Sequence, residues 1–412
     1  MTFGAVAVDA GDLPLGGGLL ALLRPALAST EPGGVVALLS TSRATAEDLP
    51  SFCRAERHEY LGAEALPDGQ TRHLVRRGPF SVPKRAREPP LSLATGPMTA
   101  TAMLAAVPMP DAATPDTAFA PRGAQVEPGG PTYPFSLVKR DLVAPPEIAA
   151  LYDQAVAAQW NAATDIPWNE LMELDPRIER AVGQIMTFLA ENELAALYVP
   201  ARFLPRIHPA FVETSMFLAT QLADEARHAH VYLARARAQG GSLGTSSAVT
   251  GYSLRGLLEP EDFVESTFLL SVLGEGTFLD LLRFVEAHAP DRCTQEIARR
   301  TRLDEARHVH FGLAHVRHAL AHDPTVFARL EAATLRRAAS LPATASAPAP
   351  LADALVLLAA GSVEPAKVAR GHEAYRALLE EMHEARRKRL VHAGFDEAQA
   401  DRLSLLHTPN FM

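Results

Sequence analysis

The pentapeptide Asp-Glu-Ala-Arg-His occurs twice in this chain, at 224–228 and again at 304–308, each time inside an otherwise apolar stretch. Residues i and i+3 of a helix lie on one face about a turn apart. Glu225 with His228, and Glu305 with His308, therefore each present a carboxylate beside an imidazole. Helical bundles that hold two metal ions use two such Glu-x-x-His helices and one further Glu from each of two other helices. The pattern thus predicts an inward-facing glutamate on the helix before each copy. "FLAENELAALYVP" supplies Glu193, 32 residues before Glu225, and "FLLSVLGEGTFLDLL" supplies Glu275, 30 residues before Glu305.

Four carboxylates and two imidazoles suit a pair of iron ions with positions left open for O2, and carboxylate-rich sites also accept Mn or a mixed Fe/Mn pair. Two competitors are set aside. Glu191 stands two residues from Glu193 and so on a different helix face, and Glu265 is farther from Glu305 than adjacent helices require. The plain alternative is that each Glu/His pair is an exposed ion pair on a solvated helix. That alternative requires polar neighbours along the stripe. The stripe instead reads Phe217, Gln221, Glu225, His228 and Tyr232, while Leu270 and Phe278 flank Glu275. His230 and His310 fall two residues past the predicted ligands and so face away from them.

With these residues in place, the segment of about 177–321 resembles the ferritin-like, ribonucleotide-reductase-small-subunit-like di-iron oxygenase and oxidase superfamily, with the Asp-Glu-Ala-Arg-His form similar to its bacterial hydroxylases and oxidases. The resemblance implies roles for the other letters of the repeat. Asp224 and Asp304 accept the second imidazole N–H of the histidine on the opposite helix, and Arg227 and Arg307 neutralise them. This fixes the tautomer and raises ligand basicity. Tyr232, one turn past His228, matches the superfamily's radical tyrosine and is the candidate redox-active residue; a hydrogen-bonded core tyrosine is the other reading. The matching position after His308 is Gly312, which costs a helix about 1 kcal/mol relative to alanine and implies close packing or room for substrate. Thr301 stands where related arylamine N-oxygenases carry an extra histidine, so that chemistry is disfavoured.

The rest of the chain bounds the reading. Its 412 residues suggest more than one domain, and 48% hydrophobic residues are enough for a sizeable core. A formal net charge of −9 argues against a nucleic-acid partner. The two cysteines, Cys53 and Cys293, are too few for a disulfide framework or a cysteine-ligated metal centre. No signal-peptide pattern and no membrane-length apolar run is evident, so a cytoplasmic location is expected. The organisation read from composition is 1–81 α/β, 82–131 a Pro/Ala-rich linker, 132–338 the metal-binding bundle, and 339–412 a C-terminal helical extension. Within 1–81, Asp9, "LLALLRPAL", "PGGVVALLS" and "EDLPSFCRAERHEYLG" resemble the TusA/SirA-like sulfur-carrier family. Leu15 stands where that family's carrier cysteine belongs, and leucine offers no thiolate nucleophile. The expected fold class is therefore mainly α, a ferritin-like four-helix bundle with extra C-terminal helices plus a small, degenerate TusA-like α/β domain.

The expected function is a non-haem di-iron oxidoreductase that activates O2 to oxidise or hydroxylate an organic substrate. The alternative is a ferroxidase or peroxide-scavenging protein of the ferritin–rubrerythrin kind. A linker and additional domains favour the first over a compact ferritin subunit, as does the lack of cysteine pairs over a rubrerythrin. The expected partners are a small organic substrate, an external reductase or ferredoxin as electron donor, and a second copy in a homodimer. Neither the substrate nor its reaction subtype is legible.

Overall fold

The computed structural model describes residues 6–79, 99–105, 107–124, 126, 130–340 and 348–406. Most of the first half of the Pro/Ala-rich stretch (80–98) and most of the Ser/Pro/Ala stretch at 340–350 lie outside the described residues. The chain divides into two compact units, Met1–Ser92 with Gln125–Gly129, and Leu93–Ala124 with Gly130–Met412.

The first unit runs β1 (Val6–Asp9), α1 (Leu19–Ser29), β2 (Val35–Ser40), α2 (Arg43–Ala55), β3 (Glu59–Ala65) and β4 (Thr71–Arg76). Its strand order is β1-β2-β4-β3, with β1 parallel to β2 and β4 antiparallel to both of its neighbours. The apolar run Val36–Leu38 of β2 is buried under Leu19, Leu23 and Leu27 of α1 and Leu49, Phe52 and Cys53 of α2. Leu15 begins a short 3-10 turn before α1 and packs at the rim of that core.

The second unit is helical: α3 (Ala100–Leu104), α4 (Ile148–Ala157), α5 (Pro176–Ala201), α6 (Val212–Arg237), α7 (Ala248–Leu258), α8 (Phe263–Thr267), a π-helical stretch (Phe268–Glu275), α9 (Gly276–His288), α10 (Arg292–His322), α11 (Val326–Ser340), α12 (Ala349–Ala360), α13 (Pro365–Ala393) and α14 (Glu397–Leu406). Local signals set the boundaries. Asp175 caps α5 through Arg177 N with Pro176 at the first position, and Asp291 caps α10 through Thr294 N at 2.7 Å. Gly394 ends α13 in the left-handed region at φ 109°.

Four segments form the bundle: α5 against α6, and the α8–π–α9 segment against α10. At one end, the buried Arg235 of α6 joins three of them. It donates to Glu179 of α5 at 2.6 Å, to Asp291 at 3.1 Å and to Thr294 of α10 at 2.7 Å. Because breaking a buried charge network leaves an uncompensated ion, this contact fixes the relative register of α5, α6 and α10. Helices α12 and α13 pack on α5 and α9 and contribute Leu355, Leu358, Leu378 and Met382 to the bundle's own core. The architecture is the expected one, a mainly α four-helix bundle with extra C-terminal helices and a small N-terminal α/β unit. Among the described residues no helix is long and apolar enough to cross a membrane.

Candidate metal centre

The two copies of the repeat fold alike. Residues 221–230 and 301–310 share one sequence of buried, intermediate and exposed positions, in which Asp, Glu and His are buried, Arg is partly covered, and His230 and His310 are exposed. Glu193 of α5, Glu225 and His228 of α6, Glu275 at the end of the π-helical stretch, and Glu305 and His308 of α10 converge in the bundle interior. All six are at most 3% exposed. Glu191 is only partly buried, and Glu265 pairs with Arg336 at 2.8 Å on the rim.

The six fall into two overlapping quartets: Glu193, Glu225, His228 and Glu305, and Glu225, Glu275, Glu305 and His308. Within each, one donor atom per residue lies within 4.8 Å of the others. Glu225 and Glu305 belong to both. The Nδ1 atom of His228 lies 3.3 Å from both Glu225 and Glu305 and 3.5 Å from Glu193. That of His308 lies 3.0 Å from Glu225 and 3.4 Å from Glu305.

Whether these residues fit a metal pair is tested by their unsatisfied atoms. Buried polar atoms are ordinarily hydrogen-bonded. Here Glu193 Oε1, both carboxylate oxygens of Glu225 and of Glu305, Glu275 Oε2, and Nδ1 of His228 and His308 are buried without a hydrogen-bond partner. Burial, and then repulsion from Glu305 and Glu225, hold the Glu193 carboxyl well above the usual range. Burial and Glu305 do the same to Glu275. Four carboxylates confined together match the charge of two divalent cations, and the orphaned atoms are the lone pairs such ions take. The donor set fits.

The remaining letters of the repeat lie just outside. His228 donates from Nε2 to Asp304 Oδ2 at 3.0 Å, and His308 donates to Asp224 Oδ2 at 3.3 Å. Arg227 pairs with Asp224 and, at 3.0 Å, with Asp304; Arg307 pairs with Asp304 and, at 3.3 Å, with Asp224. Burial acts to raise the Asp304 carboxyl, but the His228 hydrogen bond and charge, Arg307 and Trp160 outweigh it and hold it below the usual range. Each Nε2 is thus engaged by an outer carboxylate, and each Nδ1 faces the interior carboxylates.

Sequence reasoning missed Trp160 and Gln159, which follow α4. Trp160 Nε1 donates to Asp304 at 2.7 Å, and the Arg227 guanidinium lies 4.6 Å from the Trp160 ring. Gln159 Nε2 donates to Asp224 at 3.0 Å. It also gave Gln221 no role beyond its place in the stripe, whereas Gln221 donates to Glu275 at 3.0 Å. No local pattern marks Trp160, which is 144 residues from its partner.

Tyr232 is fully buried, and its hydroxyl has no hydrogen bond of good geometry. It faces Thr301, and burial, with Glu193 next, pushes its phenol well above the ordinary value. Gly312 is a close-packing position: a Cβ there would lie 2.6 Å from Ser271 Cβ in the π-helical stretch. A small cavity reaches Gln221 and is lined by Leu218, Phe263, Leu270, Ser271 and Phe311.

No protein-family model matches the chain, and no curated protein matches it. Among solved structures, the chain is similar to a variant of an R2-like ligand-binding oxidase with an aerobically reconstituted Fe/Fe cofactor (17% identity, TM-score 0.48, 60% of this chain and 93% of that one). It is also similar to a second variant of that oxidase with a Mn/Fe cofactor (17% identity, TM-score 0.45, 60% and 93%). A third is a protein with aldehyde deformylating oxidase activity from Synechococcus (17% identity, TM-score 0.41, 56% and 97%).

Proposed function

We propose that this chain is a non-haem di-metal oxidoreductase, with two Fe ions or a Mn/Fe pair, that uses O2 to oxidise or hydroxylate a small organic substrate. The observation that carries the reading is the pair of buried quartets sharing Glu225 and Glu305, whose facing atoms lack any other partner. Glu193 and His228 would hold one ion and Glu275 and His308 the other, with Glu225 and Glu305 serving both. Two such ions supply the electrons with which O2 is activated.

The chain's own residues define the rest. Asp224 and Asp304 engage the Nε2 atoms, so that with metal bound the Nδ1 lone pairs would face inward. Gln221 holds one Glu275 oxygen and orients that carboxylate. Two cysteines far apart in the sequence are too few to hold an iron–sulfur cluster, so the reading includes a separate reductase or ferredoxin as electron donor.

The N-terminal unit, in this reading, is carrier-like in fold and transfers no sulfur. Leu15 offers no thiol, and burial pushes the Cys53 thiol up to about 11. Labelled sulfur passed from a desulfurase to Cys53 would overturn that.

The test of the main reading is stoichiometric. Purified protein is expected to hold about two metal ions per chain, to consume O2 when chemically reduced, and to lose both properties in Glu225→Ala with Glu305→Ala. Full iron loading in the double variant rules out the cluster as the site.

A further inference from the structure

Five of the chain's 15 histidines fall between 308 and 322, and only His308 belongs to the cluster described above. His310 is exposed on another face. His315 is buried between Phe263 and Phe311 and donates from Nε2 to Leu142 O at 2.9 Å, which ties the segment before α4 to α10. His318 and His322 remain.

These two stand one turn apart near the C-terminus of α10, with ring centroids 4.4 Å apart. They line an open pocket together with Asp111, Lys139, Arg140 and Asp141. The opposite wall is held by backbone pairing. Ala112 and Lys139 form an antiparallel bridge, Ala113 N donates to Val138 O at 2.8 Å, and Arg140 N donates to Asp111 O at 2.9 Å.

We propose that His318 and His322 form a second metal site, separate from the buried cluster, that takes one borderline divalent cation such as Zn(II) between two imidazoles, with Asp111 and Asp141 as neighbouring charge partners. Two histidines at i and i+4 on one helix face are a chelating pair for such ions. The tautomer of His322 is already set for it. His322 Nδ1 donates to the His318 carbonyl at 2.8 Å, which leaves its Nε2 lone pair free, as in histidines that ligate metals through one nitrogen and anchor through the other. His318 Nε2 is buried with no hydrogen-bond partner.

The charged lining is balanced, so the imidazoles decide between a cation and an anion as the ligand. Lys139 and Arg140 are matched in the pocket by Asp111 and Asp141. Burial, then His322 and Arg140, lower the His318 imidazole below its usual value against the opposing pull of Asp141 and Glu147, which favours the neutral ring. A neutral imidazole offers a lone pair, which a cation uses and an anion does not. From His308 to His322 the helix rises about 21 Å, so the two sites do not share a ligand.

The test uses untagged full-length protein as purified, titrated with Zn(II) near neutral pH and followed by calorimetry. One equivalent is expected to bind, and His318→Gln and His322→Gln are each expected to weaken that binding roughly 10-fold or more. His310→Gln, on another face of the same helix, is expected to leave it unchanged. A measurement on the unaltered chain stands beside the variants: substoichiometric Cu(II) should broaden the ring proton resonances of His318 and His322 before those of other histidines. No Zn(II) uptake, equal affinity in the doubly substituted chain, or broadening that spares these two rings overturns the proposal.

Discussion

His228 of α6 and Asp304 of α10 meet across the bundle, Nε2 to Oδ2 at 3.0 Å, and His308 and Asp224 repeat the contact in the other direction at 3.3 Å. Each copy of the pentapeptide therefore points its own Glu and His inward and lends its Asp to the other copy's histidine. The two arginines close the charge on the outside. This reciprocity accounts for five repeated letters where two would place the donors.

The contact predicts an asymmetry. Asp304 also accepts from Trp160 at 2.7 Å, whereas Asp224 accepts from the exposed Gln159 at 3.0 Å. Asp304→Asn keeps the shape but removes the charge that fixes the His228 tautomer. Iron affinity, measured by competition with a ferrous chelator, is expected to fall about 10- to 100-fold, with helicity unchanged. Asp224→Asn is expected to cost less. Parent-like affinity in Asp304→Asn would reduce the contact to packing.

The positions of the six candidate donors were legible because helical periodicity is local and ligand types are few. Glu193 was separable from Glu191 by face, and Glu275 from Glu265 by spacing. What was not legible depends on distant or non-periodic features. Trp160 reaches Asp304 from a loop. The π-helical stretch Phe268–Glu275 is apolar almost throughout, and no α-helical periodicity marks its wider turn. Helix α12, "APLADALVLLAA", has apolar residues on nearly every face, so no amphipathic stripe announces it. Helix α7 carries Gly251 and Gly256, both poor helix formers, and forms through packing on α5 and α11.

Gly312→Ala tests the seam between α10 and the π-helical stretch. Alanine favours a helix by about 1 kcal/mol over glycine, yet its Cβ would lie 2.6 Å from Ser271 Cβ and 3.3 Å from Val272 Cγ2. Neither atom is the far end of a flexible side chain. Overpacking of about 1–3 kcal/mol is expected to win, seen as a lower Tm. Ser271→Gly in the same chain should recover part of the loss. A raised Tm in the single variant would mean that the seam yields freely.

His315 predicts a pH dependence of stability. Burial pushes its imidazole down to about 4 from the ordinary 6.5, and Nδ1 has no acceptor for a second proton. Between those values the unfolded chain binds more protons than the folded one, so stability rises with pH there. The contribution is complete above pH 6.5 and is lost as pH falls toward 4. Its full size is roughly 3 kcal/mol as an upper figure. His315→Gln can still donate to Leu142 O but does not titrate. Urea denaturation of this variant across the window is expected to show a flatter pH slope than the parent; an unchanged slope would assign the dependence elsewhere.

Tyr232 tests how oxidation proceeds. Its phenol is buried beside Thr301 and close enough to Glu193 to feel that carboxylate, yet it has no well-formed hydrogen bond. An unpartnered buried hydroxyl is costly, so removing it does not destabilise the fold through a lost bond. Tyr232→Phe is therefore expected to leave Tm and iron content as in the parent. If the phenol is redox-active, exposing the reduced parent to O2 without substrate gives a transient tyrosyl radical or a hydroxylated ring, and the variant gives neither. Electron paramagnetic resonance on rapidly frozen samples and peptide mass measurement read the two outcomes. Identical traces in both proteins would make Tyr232 a packing residue, and oxidation would then act directly on a bound substrate.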